Sequence, residues 1–211
     1  MSLDAVLRNV SVTADYWLVS DRLAEIEGFL DPIEGYALLQ LAEHGPGVGA
    51  VVEIGSFAGR STAWLATGSR RAKREKVNAV DHFRGSPEHH AGGAFESSLV
   101  TGGSLRERFE RNLASAGVAD WVRVLGEGSP DAAKSWSHPI RLLFIDGDHS
   151  YEASRADYEA WSPWLVEGGV VAFHDIGIFP GVTRFYEELA ASGEVREIMA
   201  VGTLRAAVRG A

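Results

Sequence analysis

Cysteine is absent from this chain of 211 residues. That excludes a disulfide scaffold, a thiolate zinc site and a cysteine nucleophile together, and it agrees with a reducing compartment. An excess of positive charge is missing too: 20 Lys and Arg stand against 29 Asp and Glu, a formal net charge of −9. Affinity for DNA or RNA comes mainly from Lys and Arg displacing condensed counterions, so no nucleic-acid partner is expected. No run of about 18 uncharged apolar residues occurs. The N-terminal segment, carrying Asp4 and Asp15, has no apolar stretch of signal-peptide length. The expectation is a cytoplasmic protein without a membrane partner. No internal repeat is visible. What is present, 45% hydrophobic and 23% charged residues, is the composition of an ordinary globular domain, and the length predicts one folded unit over residues 1–211.

Apolar runs of strand length alternate with longer helical patterns, which is the signature of βαβ units. The expected strands are Ala50–Ile54, Val77–Val80, Trp121–Leu125, Ile140–Ile145 and Gly169–Phe173. All are continuously apolar or nearly so, as strands buried on both faces of a parallel sheet must be. Arg60–Thr67, Leu105–Ala116, Pro130–Trp136, Tyr151–Leu165 and Pro180–Ala191 read as helices, and Asp21–His44 gives one or two more. At the end, Val195–Ala200 and Leu204–Val208 flank Val201-Gly202-Thr203 and read as a closing hairpin. The expected fold is α/β: a Rossmann-like, doubly wound, mostly parallel sheet ending in an antiparallel hairpin. Residues 1–48 form an N-terminal helical cap on a core of 49–211. Its apolar residues Phe29, Leu30, Leu38, Leu39 and Leu41 would cap an active site or join subunits in a homo-oligomer. The basic run Arg70–Arg74 reads as a solvated turn, and Arg84–Gly103, rich in glycine and without period, as a lid on the substrate side. His89 and His90 on that loop read as solvated.

Among motifs, Glu53-Ile54-Gly55-Ser56-Phe57-Ala58-Gly59-Arg60-Ser61 takes an apolar strand through glycines into a helix. Gly55 permits a tight turn, and Gly59 lets a helix begin close to a ligand, flanked by Ser56 and Ser61. By itself the motif serves a plain turn as readily as a cofactor loop. Phe57 stands where a dinucleotide fingerprint needs its second glycine, which disfavours NAD. Glu53 repels a diphosphate and suits a cationic ligand portion. Asp81, followed by His82 at the end of the second strand, is placed to accept hydrogen bonds from both hydroxyls of a ribose, or to cap a turn. After the third strand, Gly126, Glu127 and Gly128 lie at the same edge, with Ser129 as a helix N-cap before Pro130.

The fourth strand runs into Asp146-Gly147-Asp148-His149, and the fifth ends in His174-Asp175. Asp146 and Asp175 offer oxygen ligands that suit Mg²⁺, while the imidazole of His174 favours softer metals; a cation site and a metal-free cluster fit equally. His149, with an ordinary pKa near 6.5, suits a general base at neutral pH, with Asp148 as the second candidate. A helix-start residue bonding the backbone is the plainer reading of His149.

Taken in order, Val51–Thr62, Asp81, Gly126–Ser129, Leu143–Tyr151 and Gly168–Asp175 resemble a class I S-adenosylmethionine-dependent methyltransferase. More narrowly they resemble the small bacterial group of macrocin and rhamnosyl O-methyltransferases, with a more distant likeness to catechol O-methyltransferase. The resemblance covers roughly Val51 to Asp175. It implies methyl transfer from S-adenosylmethionine to a hydroxyl of a small molecule, a sugar or natural-product phenol. It places Glu53 and Gly55 by the methionine part of the cofactor, Asp81 by the ribose and Glu127 to Ser129 near the adenine. It further implies a divalent cation such as Mg²⁺ at Asp146, His174 and Asp175, and a base at His149 or Asp148. His174 departs from the pattern, since metal-dependent relatives carry Asp or Glu there. The competing readings are a metal-dependent phosphoester hydrolase, for which the His and Asp ligands of a two-metal centre are lacking, and a cofactor-binding module without catalysis.

Overall fold

Strands that are apolar on both faces must be covered on both faces. In the computed structural model, which describes residues 3–210 and the side chains of 10–210, this is what the chain achieves. The elements in order are α1 (Leu3–Leu23), α2 (Pro32–His44), β1 (Ala50–Ile54), α3 (Arg60–Ala72), β2 (Val77–Val80), α4 (Ser98–Thr101), α5 (Leu105–Ser115), β3 (Val122–Leu125), α6 (Ser129–Lys134), β4 (Ile140–Ile145), α7 (Tyr151–Trp161), β5 (Leu165–Phe173), α8 (Pro180–Ser192), β6 (Val195–Val201) and β7 (Leu204–Arg209). The sheet order is β3-β2-β1-β4-β5-β7-β6. The first five strands are parallel, and β7 runs antiparallel to both β5 and β6. Alternate residues of each strand face opposite layers. Val51, Leu142 and Phe144 pack with Leu38, Leu39 and Trp64 of α2 and α3, whereas Val52, Leu143 and Ile145 pack with Tyr158, Trp161 and Phe185 of α7 and α8.

Register places the functional edge. Ile54 is level with Val80 on one side and Ile145 on the other, and Ile145 with Phe173. The residues that follow, Gly55, Asp81, Asp146 and His174, therefore leave the sheet side by side. The ladder continues one step beyond the strands, with Asp146 N–H donating to Ile54 C=O at 2.8 Å and His174 N–H to Ile145 C=O at 3.2 Å. Strand order reverses between β1 and β4, and an open sheet has its ligand crevice at such a point.

Several boundaries differ from expectation for local reasons. The helix after β1 continues through the basic run to Ala72. Arg71 pairs with Asp15 of α1 at 2.9 Å, and Arg74 donates to the carbonyls of Gly45 and Gly47, so these cations anchor neighbours rather than decorate a turn. Helix α7 stops at Trp161, where Pro163 turns the chain, and β5 begins at Leu165. Two helices precede the sheet, separated where Asp31 caps α2 with Pro32 in the first turn. Of the apolar residues in this cap, Leu30, Leu38 and Leu39 are core, and Phe29 is 56% exposed. Buried Arg141 on β4 pairs with Glu75 and donates to the carbonyls of Leu41 and Ala42, tying α2 to the sheet. Among the described residues no helix is long and apolar enough to cross a membrane.

Candidate active site

A cleft of about 770 Å³ opens along the carboxyl edge of β2, β1, β4 and β5. Its volume falls in the range of small-molecule sites, roughly 300–1,000 Å³. At its floor the loop after β1 is pressed against the end of β4. Gly55 has φ +82°, and a Cβ there would stand 2.0 Å from the carbonyl oxygen of Asp146, so only glycine lets the two strand ends meet.

Asp81 fastens this loop. One carboxylate oxygen accepts the N–H groups of Ser56 (2.9 Å) and Phe57 (2.8 Å), and the other accepts Phe83 N–H at 2.6 Å. A carboxylate has about four acceptor sites, and three are taken, so one acceptor position of Asp81 is left for a ligand. Glu53 corrects expectation further. It does not line the cleft but lies fully buried beneath it, accepting the hydroxyls of Ser56 (2.9 Å) and Thr62. Burial lifts its pKa to about 7 against the lowering effect of the Ser61, Thr62 and Ser56 hydroxyls. Gly59 packs on Phe109 and Gly126 faces Arg106, so both are placed by packing and neither lines the cleft. Ser56, Ser61, His82, Glu127, Gly128 and Ser129 do line it. Helix α6 begins at Ser129 itself with Gly128 as the capping residue, and Ser129 Oγ instead accepts Trp161 Nε1–H at 3.0 Å.

At the centre stand the acids and imidazoles that end β4 and β5. His149 Nε2 is 2.9 Å from Asp175 Oδ2 and 3.9 Å from Asp146 Oδ1, and its Nδ1 is 2.9 Å from Glu88 of the 84–103 loop. Burial opposes charge on this ring, but Asp146 and Asp175 outweigh it and hold the pKa up at about 10. The proton these carboxylates hold on the ring is the one a cation bound among them would displace, and while the ring carries either it is not free to act as the expected general base. Asp148, whose carboxylate accepts Ser150 N–H at 2.8 Å, lines the same cleft.

His174 is turned inward. Its Nε2 meets Glu34 of α2 at 3.0 Å and its Nδ1 meets Asp146 at 3.2 Å. Despite burial, its pKa is driven up by Asp146, Asp175 and Glu34, while the Glu34 carboxyl, also buried, is held down at about 2 by His174, Thr203 and Asp31. With both nitrogens committed, His174 is not placed as a metal ligand. The three side chains whose ligand atoms lie within 4.8 Å of one another are Asp146, His149 and Asp175. Two observations fit this trio to a divalent cation. His149 Nε2 is buried and, despite its short contact to Asp175, makes no aligned hydrogen bond. Its other nitrogen is oriented by Glu88, the carboxylate–imidazole arrangement that supports metal-bound histidines.

Sequence reasoning missed several lining residues. His89, expected to be solvated, is buried and its ring stacks on Phe29 at 5.5 Å, whereas His90 is exposed. Phe57, Phe95 and Phe179 complete an aromatic wall with them. Asp157 of α7 lines the cleft beside Gly147, with burial raising its pKa to about 6. The one available hint was the clustering of Phe and His within the aperiodic loop.

Comparison with known proteins gives this geometry a context. A family model described as a methyltransferase domain matches residues 52–176, which is more than half of the chain. An uncharacterized protein y4gI of Sinorhizobium fredii is 42% identical over 55 residues, which cover 25% of this chain and 6% of that protein; the match spans only a small part of that curated relative. Among solved structures, the O-methyltransferase NovP superposes with a TM-score of 0.67 at 21% identity, covering 84% of this chain and 79% of its own. Cofactor-bound Rv0187 from MTB does so with 0.64 at 21% identity, covering 98% and 95%. An O-methyltransferase from Bacillus cereus in complex with SAH gives 0.61 at 21% identity, covering 94% and 91%. With the strand order, the cleft at the switch point and the family match in agreement, the chain belongs to the methyltransferase-domain family and has the fold of class I S-adenosylmethionine-dependent methyltransferases.

Proposed function

We propose that this chain methylates a hydroxyl of a small molecule, a sugar or natural-product phenol, using S-adenosylmethionine and a divalent cation in the cytoplasm. The observation that carries the reading is the convergence of Asp146, His149 and Asp175 in a cleft that Asp81 and Glu127 to Ser129 also line. When bound, S-adenosylmethionine supplies a methyl group on a sulfonium centre. Asp81 would hold the ribose with its remaining acceptor site, and Glu127 to Ser129 the adenine. A cation held by Asp146, His149 and Asp175 would lower the pKa of an acceptor hydroxyl. Asp148, which lines the cleft beside the trio, would take the hydroxyl proton, because His149 would serve as a ligand to the cation. The 84–103 loop is the lid. Glu88 reaches His149, and Phe95 meets Phe179 across the cleft at 5.9 Å between ring centroids, a contact that excludes water from the reacting groups.

Calorimetric titration with S-adenosylhomocysteine, with NAD as control and with or without Mg²⁺ or Mn²⁺, tests the reading. Binding of the first and not of NAD is expected. Failure of S-adenosylhomocysteine to bind ligand-free protein would overturn it. Asp148→Asn is expected to abolish turnover with that affinity retained; undiminished turnover would remove Asp148 as the base.

A further inference from the structure

Resting on the methyl-transfer reading, we propose that the acceptor is a flat aromatic phenol and not a sugar. The side of the cleft beyond the acid cluster is walled by rings from four separate segments: Phe29 before α2, Phe57 after β1, His89 and Phe95 on the lid, and Phe179 before α8. The wall runs directly into the reacting centre, because the His149 ring stacks on Phe179 with centroids 4.2 Å apart and planes 15° from parallel. A ring entering along this wall is led to Phe179 and so to His149, whose Nε2 lies 2.9 Å from Asp175 in the acid cluster. The mouth is apolar as well, with Phe29, Ile33 and Ile178 exposed by 56%, 46% and 58%; apolar side chains clustered around a cleft on an otherwise charged surface mark a contact site.

Most polar groups on this side are engaged within the protein, with Arg60 Nε left without a partner. The Arg60 guanidinium donates to the carbonyls of Ala24, Gly28 and Leu30, and Glu88 holds His149. His89 Nδ1 accepts Ser86 N–H at 3.2 Å, and Glu34 is taken by Thr203 and His174. A sugar surrenders several hydrogen bonds to water on entering such a wall and recovers few, and each polar group buried unpaired carries a penalty. A planar aromatic ring loses none of these and gains offset or edge contacts with every ring it meets.

The test titrates protein saturated with S-adenosylhomocysteine with quercetin or 1-naphthol, and in parallel with methyl α-L-rhamnopyranoside or D-glucose; methyl transfer from S-adenosylmethionine to each is followed by mass spectrometry. The flat phenols are expected to bind and be methylated, and the sugars neither. Phe95→Ala and Phe179→Leu are expected to raise the KM for the phenol roughly three- to tenfold each, with S-adenosylhomocysteine affinity unchanged. Methylation of a sugar but not a phenol overturns the proposal and leaves methyl transfer standing. So does binding of no acceptor by cofactor-loaded protein, or a phenol KM indifferent to both variants. Loss of S-adenosylhomocysteine binding by the unaltered protein strikes the underlying reading instead.

Discussion

Burying a charge is costly unless it is paired, and two glutamates show opposite answers to that cost. Glu88 is paired: it leaves the lid to hold His149 Nδ1 at 2.9 Å. Groups that orient a metal-binding or catalytic imidazole typically contribute about 10–100-fold. Glu88→Gln is therefore expected to lower kcat by roughly tenfold or more while leaving S-adenosylhomocysteine affinity as it was. An unchanged kcat would make the contact a crossing of the lid without consequence. Glu53 has only hydroxyls for partners, and burial raises its pKa to about 7. The folded protein thus retains a proton that the unfolded chain releases near the ordinary glutamate value, about 4.3. Between those two values the unfolded state binds fewer protons, so the contribution of Glu53 to stability falls as pH rises and levels off above about 7. Glu53→Gln removes this dependence. Its thermal stability relative to wild type is expected to improve from pH 5 to pH 7.5 and then stay constant; parallel profiles at all pH values would show that Glu53 does not titrate in this window.

At the scale of elements, Glu34 ties the N-terminal cap to the catalytic edge. Glu34 closes the capping box of α2 by accepting Asp31 N–H at 2.9 Å, and it also accepts the Thr203 N–H and hydroxyl in the β6–β7 turn while pairing with His174. The turn must come very close. Gly202 has φ +54°, and a Cβ on it would stand 2.3 Å from Glu34 Oε1. Gly202→Ala is expected to push the carboxylate off Thr203 and His174. Breaking a buried pair by displacing one partner costs about 3–5 kcal/mol, a fall in Tm of roughly 6–20 °C for a chain of this size. A melt within a degree of wild type would mean that the turn moves and the glutamate does not. The capping box Asp31-Pro32-Ile33-Glu34 is local, but the other partners of Glu34 lie 140 and 169 residues away, and no period or spacing reports such a contact. This is why His174 was read as a ligand: its position after β5 was evident from the strand, whereas the direction of its ring depends on a helix folded from the other end of the chain.

Over the whole molecule, the parallel sheet, its closing hairpin and the edge that carries the site were legible because burial on both faces leaves a continuous apolar run for each strand, and because register makes neighbouring strands end together. Roles within the edge were less so. The trio Asp146, His149 and Asp175 assembles from two strand ends, and His149 is held there by distant groups: Val182 N–H donates to its C=O at 3.0 Å, Glu88 meets its Nδ1 and Phe179 stacks on its ring. The make-up of the trio bears on which ion it would hold. Three carboxylates would favour Mg²⁺, but one imidazole beside two carboxylates favours ions that tolerate nitrogen, such as Mn²⁺. A ligand that binds only the folded state at about 100 times its Kd adds about 2.7 kcal/mol, or roughly 5–11 °C in Tm at this chain length. Mn²⁺ is expected to produce that shift at lower concentration than Mg²⁺, to lose its free-ion electron paramagnetic resonance signal on binding, and to be displaced by EDTA. In His149→Ala the order of the two ions should reverse or collapse. Equal, unmeasurable shifts for both ions in the unaltered protein would show instead that the imidazoles of His149 and His174 against Asp146 and Asp175 satisfy the site without a cation.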